Sequence, residues 1–369
     1  MSLSGKKIWI DIEEPKTSIM FKSLIEKFRN DGADILVTAR DYDSTFQILD
    51  DLEVIYEKVG KHGGATLENK LSSYINRLTE LYPKVVNFKP DYFITFSSVE
   101  GTRISYGLNI PSIGYNDEPR NVPVCKLIFP YLDNIITPTC VPEQLYIDLH
   151  ANPNKLIRFN GIDEIAWLSE YQPNPSILDE YNLKKGEYVV IRSEPSFASY
   201  FIDILKPEES LISKFFPPIF KEFPHHKYLI IVRTKKQELF LNEKLENYKR
   251  YSNVKITRYM PNMVDLCFYS SLVISGGGTI VRESSLLNVP SIEFFPGETA
   301  PQERFLINNG FPLQHIKGIG EIVKKSLGIL STKPKSDRFN NNFREKILNF
   351  ENPNDICYKT VKKNLLEGS

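Results

Sequence analysis

Short runs of β-branched and aromatic residues alternate, almost from end to end, with longer runs whose apolar positions recur every three or four residues. In the first half the short runs predict strands over 7–12, 34–39, 54–59, 92–96, 112–115, 134–137 and 155–159. Between them, 18–30 places Phe21, Leu24, Ile25 and Phe28 on one helical face, and 67–88 reads as a long helix. The pattern then restarts, with strands over 188–192, 228–232, 254–257, 272–274 and 291–294. Its helices are expected near 211–223, 236–249, 263–269, 280–287 and 301–309. Continuous apolar strands separated by helices predict parallel sheets covered on both faces. One sheet of about a dozen strands would be unusually large, so an α/β chain of two Rossmann-like domains is expected. Pro173, Asn174 and Pro175 interrupt the polar stretch 169–182, which sets expected domains of 1–168 and 169–335. Two further helical runs, 343–350 and 353–366, fall in a C-terminal segment, 336–369.

Composition narrows the classes. Lys plus Arg, 46, cancels Asp plus Glu, 46, so bulk charge offers no attraction to nucleic acid or anionic membrane. Phosphate recognition, if present, must be local. Cys125, Cys140, Cys267 and Cys357 show no metal-ligand spacing, and His225-His226 is an adjacent pair aimed at different faces. No apolar run approaches a membrane span, and the run after Lys6-Lys7 is too short for a signal peptide. A reduced, cytoplasmic protein is expected, with no metal and no cofactor.

Ligands of open α/β sheets bind at the carboxyl ends of strands, which selects the candidate residues. Ser275-Gly276-Gly277-Gly278-Thr279 joins a strand to a helix. Missing side chains there let backbone N–H groups approach a phosphate, and the helix start adds its positive dipole end. Glu283, about one turn on, would meet ribose hydroxyls; a plain tight turn with a solvated Glu283 is the competing reading. Arg192 and Arg233, ending the first two strands of that half, could grip a diphosphate, with Glu194 alongside. Glu298, Thr299 and Gln302 open the helix after the last strand, where a base or sugar could contact them.

In the first half, Glu13 and Glu14 follow the first strand where a dinucleotide-binding turn would need glycines, which argues against a dehydrogenase. They are either a base for a sugar hydroxyl or carboxylates decorating a helix start. Arg40 ends the second strand and could hold a carboxylate or phosphate; Asp41 and Asp43 beside it spell a metal-type D-x-D but read better as a cap made by Asp43 or Ser44. His62 lies in a glycine loop, as an acid–base group or an exposed structural histidine. Asn116-Asp117-Glu118-Pro119-Arg120 concentrates acceptors at the fifth strand end, either as paired carboxylates with separated pKa values or as a turn-and-cap sequence.

The second-half series Ser275–Thr279, Arg282-Glu283, Asn288–Ile292 and Gly297–Glu303 resembles the nucleotide-sugar half of GT-B proteins, notably UDP-N-acetylglucosamine 2-epimerase and the transferase of peptidoglycan lipid synthesis. Val37–Asp43 and Lys89-Pro90-Asp91 resemble epimerase segments. With Ile10-Asp11-Ile12, Tyr115–Pro119 and Ser275–Thr279, the chain looks like an uncharacterised, largely archaeal family of GT-B-like proteins. The resemblance implies two domains facing a central cleft, a last helix crossing back, Gly276–Thr279 facing a diphosphate, Glu283 on the ribose, and Glu298 with Thr299 reaching the sugar. It also implies a nucleotide-sugar ligand, UDP-sugar favoured, and leaves a homodimer open. Two epimerase positions depart: Arg192-Ser193-Glu194 stands where the essential histidine is expected, and Ser97-Ser98 where an aspartate is. The expected function is a metal-independent glycosyltransferase with Asp117 or Glu118 as base, then Glu13 or Glu14. A 2-epimerase or hydrolase, and a non-catalytic binding protein of the same fold, are the alternatives.

Overall fold

A computed structural model describes residues 1–64, 66–195, 206, 208–249, 252–332, 338 and 343–367. The expected domain limit at 335/336 lies outside these residues. Seven strands, β1 (Lys7–Ile12), β2 (Asp34–Asp41), β3 (Glu57–Lys61), β4 (Tyr92–Thr95), β5 (Ser112–Tyr115), β6 (Asn134–Pro138) and β7 (Leu156–Phe159), form one sheet of order β3-β2-β1-β4-β5-β6-β7. Six more, β8 (Tyr188–Arg192), β9 (Lys227–Ile231), β10 (Val254–Thr257), β11 (Leu272–Ser275), β12 (Ser291–Phe294) and β13 (Leu313–Ile316), form a second of order β10-β9-β8-β11-β12-β13. Every pairing is parallel. Strand order reverses between β1 and β4 and again between β8 and β11, so each sheet has a switch point where loops diverge and leave a crevice.

The chain divides into two compact units, residues 1–169 with 350–369 and residues 170–349. In the first, Ile8, Ile10 and Ile12 pack under the helix Pro15–Asn30, while Trp9, Phe93 and Leu36 on the other sheet face meet Leu81 and Val85 of the helix Leu67–Phe88. The helix Pro353–Glu367 places Cys357, Val361 and Leu365 in the first of these cores. In the second, Val189, Ile191, Ile230, Ile274 and Ile292 share a core with Phe215, Phe216 and Ile219 of the helix Ile212–Glu222. Among the described residues no helix is long and apolar enough to cross a membrane.

Three expectations need correction. β13 was not expected, because Leu313-Gln314-His315-Ile316 has polar residues at its centre and no apolar run to mark it. β3 begins at Glu57 rather than 54, since its pairing with β2 is shifted by an irregularity between Ala39 and Asp41. Ser44 is the N-cap of the helix Thr45–Asp51 but makes no side-chain cap bond, and Asp43 stands in the left-handed region at φ 51°.

Candidate functional site

β11 runs through Gly276 and Gly277 into the helix Gly278–Leu286 at the second unit's switch point. The three glycines differ in what crowds them. A methyl group on Gly276 would lie 2.5 Å from the Cα of Glu194, on the neighbouring strand end. On Gly277 it would lie 2.6 Å from the Arg233 guanidinium, and on Gly278 2.5 Å from Glu303 Oε1. Backbone cannot yield at Gly276, whereas charged side-chain ends are the obstacle at the other two.

The Gly276 amide donates to the Arg192 carbonyl (3.1 Å) and the Gly277 amide to Ser275 Oγ (3.0 Å). The amides of Gly278, Thr279 and Ile280, in the first turn of the helix, have no intrahelical acceptors. Beside them stands Arg233, fixed by its Nε donating to the Ser193 carbonyl (3.0 Å) and its backbone N–H donating to Ser193 Oγ (3.1 Å). A helix start next to an oriented guanidinium is an arrangement that can hold an anion.

Glu283 is buried on that helix, and its neighbour Arg282 pairs with buried Glu303 at 3.0 Å. Gln302 is buried in the helix Pro301–Asn308. Thr299 accepts from Arg304 Nε through its carbonyl (2.9 Å). Glu298 is exposed; its hydrogen bond from Lys317 (3.2 Å) holds its carboxyl below the usual range. Arg192 ends β8 in register with Ser275. Glu194 is committed elsewhere: its carboxylate accepts from Ser210 Oγ (2.9 Å) and the Leu211 amide (2.6 Å), fixing the entry to the helix Ile212–Glu222, and burial raises its pKa.

In the first unit the strand ends carry two charged clusters. Arg77, fully buried on the helix Leu67–Phe88, donates to Asp11 (2.7 Å), Glu13 (3.0 Å), Glu100 (3.3 Å) and the Val59 carbonyl (3.1 Å). Burial alone would lower its pKa; the three carboxylates more than offset that and hold it above the usual range. Arg40, beside the β2 irregularity, reaches Glu13 at 3.7 Å. For Glu13, burial is the largest influence and outweighs Arg40; with Glu100 nearby, it pushes the carboxyl up to about 7. Glu14 caps the helix Pro15–Asn30 through a capping box with Thr17, and burial raises its pKa as well.

Lys16 organises the second cluster, donating to Asp117 (2.8 Å) and Asp163 (2.7 Å) with Phe96 4.5 Å beneath. Burial pushes Asp163 up to about 7 against the pull of Lys16. Asn116 is buried, donating to Ser97 Oγ (3.0 Å) and accepting from the Tyr146 hydroxyl at its carbonyl (3.0 Å). Glu118, by contrast, is half-buried and pairs with exposed Arg120 of its own turn. His62 packs its ring on Tyr42, and burial lowers its pKa.

Arg77, Asp163 and the His315–Glu293 pair of β13 and β12 (3.0 Å) escaped the sequence reading. Two of them had signals. Arg77 occupies the apolar stripe of its helix, four and eight residues before Leu81 and Val85. Asp163 follows β7, at a strand end like the other candidates.

Known proteins bear this out at the level of fold. The fold is similar to that of UDP-GlcNAc 2-epimerase from Neisseria meningitidis bound to UDP-GlcNAc, at 13% identity and TM-score 0.68, covering 98% of this chain and 100% of that one. It is also similar to the glycotransferase of kitacinnamycin, at 11% identity and TM-score 0.57, covering 97% and 98%. Both sheets thus belong to a GT-B-type pair of parallel α/β domains. In sequence the chain is 26% identical over 364 residues to the uncharacterized protein MJ0665 of Methanocaldococcus jannaschii, covering 96% of this chain and 97% of that protein. A family model described as "Protein of unknown function (DUF354)" matches residues 6–365.

Proposed function

The chain belongs to this DUF354 family over nearly its whole length, and from that premise we propose that it is a metal-independent, nucleotide-sugar-dependent glycosyltransferase. The observation that carries the reading is the Arg233 guanidinium standing within 2.6 Å of the methyl position of Gly277, beside the open amides of the helix Gly278–Leu286. That pair of positive features suits a diphosphate leaving group, and the UDP-GlcNAc bound by the structurally similar epimerase supports a UDP-sugar. Glu283 is the group for the ribose hydroxyls, with Thr299 and Gln302 nearer the sugar.

Among the carboxylates of the first unit, Glu13 now leads as acceptor base. Its pKa of about 7 matches the operating pH of a general base although Arg77 pairs with it at 3.0 Å; Asp117 is paired with Lys16 and Glu118 with Arg120. In transfer an acceptor hydroxyl gives its proton to a carboxylate base, that oxygen bonds to the anomeric carbon, and the anomeric carbon–oxygen bond to the diphosphate breaks. The electron pair leaves on the phosphate, where Arg233 and the helix amides stabilise it.

Epimerisation is the weaker reading on this chain's own contacts. Of Arg192-Ser193-Glu194, where the histidine is expected, Glu194 is spent on Ser210 and Leu211, and of Ser97-Ser98, where the aspartate is expected, Ser98 caps the helix Val99–Gly107. The test is nucleoside-diphosphate release from a panel of UDP-, GDP- and ADP-sugars with cell-extract acceptors. Release that fails in Glu13→Gln and Arg233→Met supports transfer. Tight UDP binding with no release from any donor overturns it. Uptake of deuterium at the sugar C2 in deuterated water would move the assignment to epimerisation.

A further inference from the structure

The two arginines beside Glu13 are spent very differently. Arg77 is enclosed and meets three carboxylates and a carbonyl. Arg40 is 19% exposed, and among the described residues only its Nη2 has a partner: the Glu13 carbonyl at 3.4 Å, with the Glu13 carboxylate at 3.7 Å. Its Nε is buried without an acceptor. A guanidinium carries five N–H donors, and leaving buried ones unmade is costly unless a ligand supplies the acceptor. The sheet holds Arg40 in that state. Ala39 pairs with Lys58 and Asp41 with Lys61, so Arg40 stands alone opposite Val59 and Gly60. The extra residue is not slack. The Val59 carbonyl accepts from Arg77 (3.1 Å), the Gly60 amide donates to Glu80 (2.9 Å), and Gly60 takes the left-handed region at φ 70°. Irregularities of this kind re-aim a side chain and are over-represented beside active sites.

Two further elements bring donors to the same place. His62, the residue after β3, packs its ring on Tyr42 at 4.5 Å, and the Tyr42 ring lies 5.9 Å from the Arg40 guanidinium carbon. His62 Nδ1 accepts from the Gly64 amide (3.1 Å), so the neutral imidazole carries its proton on Nε2 and donates from there. Burial is the largest influence lowering the His62 pKa; the charges of Arg40 and Lys70 lower it further, while Glu13 pulls the other way. Lys70 is exposed in the first turn of the helix Leu67–Phe88. Asp41 is exposed and makes no ion pair with Arg40. Donors from β2, the end of β3 and that helix thus meet under local positive charge, with the Glu13 carboxyl at the edge.

We propose that Arg40 and His62, with Lys70 at the rim, form an oxyanion subsite of the first unit that holds a phosphate or carboxylate group. Arg40 also reaches Glu13, so on the transferase reading the subsite recognises the acceptor: a hydroxy compound that carries an anionic group of its own near the reacting hydroxyl. That role rests on the reading above; the subsite itself does not.

The His62 imidazole is a local reporter, because the chain has five histidines and His62→Gln identifies its signal by NMR. Glucose 6-phosphate and glucuronate are titrated separately into the full chain, with UDP in excess to occupy the glycine turn of the second unit. One of the two is expected to move the His62 signal saturably and to raise its titration midpoint, since a bound anion favours the imidazolium; glucose is expected to do neither. The sugar that binds identifies the anion. Arg40→Met is expected to weaken that binding roughly tenfold or more, and Arg40→Lys to restore part of it. Lys70→Met, on the exposed rim, is expected to weaken it less and serves as the second readout if Arg40→Met fails to fold. No saturable shift with either sugar, or unchanged affinity in both the Arg40→Met and Lys70→Met variants, overturns the subsite. Binding is read here rather than turnover, so a chain that binds the sugar but releases no nucleoside diphosphate keeps the subsite and loses only the transferase reading.

Discussion

Arg77 shows how much a single side chain can hold. It stands against Asp11, Glu13 and Glu100 with no exposed surface, so removing its charge leaves three carboxylates buried without their shared donor. Arg77→Leu is expected to cost about 3–5 kcal/mol, read from urea unfolding; a loss below about 1 kcal/mol would mean water already reaches the cluster. The glycines divide in the same way. Gly276→Ala forces a methyl against the Glu194 backbone and is expected to lower the melting temperature by several degrees whether or not nucleotide is present. Gly277→Ala meets the guanidinium end of Arg233 rather than backbone, so the fold should survive while UDP affinity falls. If both variants bind UDP as wild type does, the anion site is misplaced. The triple glycine was visible in the sequence, but which glycine serves the chain and which serves a ligand depends on a residue more than eighty positions away.

The helix Gly278–Leu286 and the residues that frame it form the unit on which the proposed chemistry rests. Its first-turn amides supply direction and Arg233 supplies charge, held in place by Ser193 at the end of β8. Charge-assisted hydrogen bonds to a phosphate are worth about 1.5–3 kcal/mol, so Arg233→Met is expected to weaken UDP binding roughly tenfold to hundredfold by calorimetry. An unchanged affinity would leave Arg233 a structural residue. Most elements here were legible: strands β1, β5, β8, β10 and β12 coincide with the apolar runs that predict them. β13 was not, because the Glu293–His315 pair puts polar residues where a buried strand normally shows apolar ones. Periodicity registers which positions are buried, not which are buried in pairs.

Across the whole protein the buried carboxyls set a pH dependence. Glu13 and Asp163 rise from ordinary values of 4.5 and 3.8 to about 7 in the folded state. A raised folded pKa means the native state binds the proton more tightly than the unfolded chain. That stabilisation is fully present below about pH 4 and is lost as pH rises through 7, so from these groups the protein should be more stable at pH 5.5 than at pH 8. Melting curves across that range check it, and Glu13→Gln should flatten the slope; a protein more stable at pH 8, with no change in slope, would show that these carboxyls ionise freely. The alternation of apolar runs and helical periods already dictated two parallel-sheet domains, because local periodicity is enough to say which face of each element seeks a core. It also placed the glycine turn and the acidic strand ends. Pairing was decided only in three dimensions. Arg77 was brought to Asp11, Lys16 to Asp163, and Glu194 to Ser210, because ion pairs and side-chain hydrogen bonds form between groups that folding brings together from distant positions, and residue order carries no record of those distances.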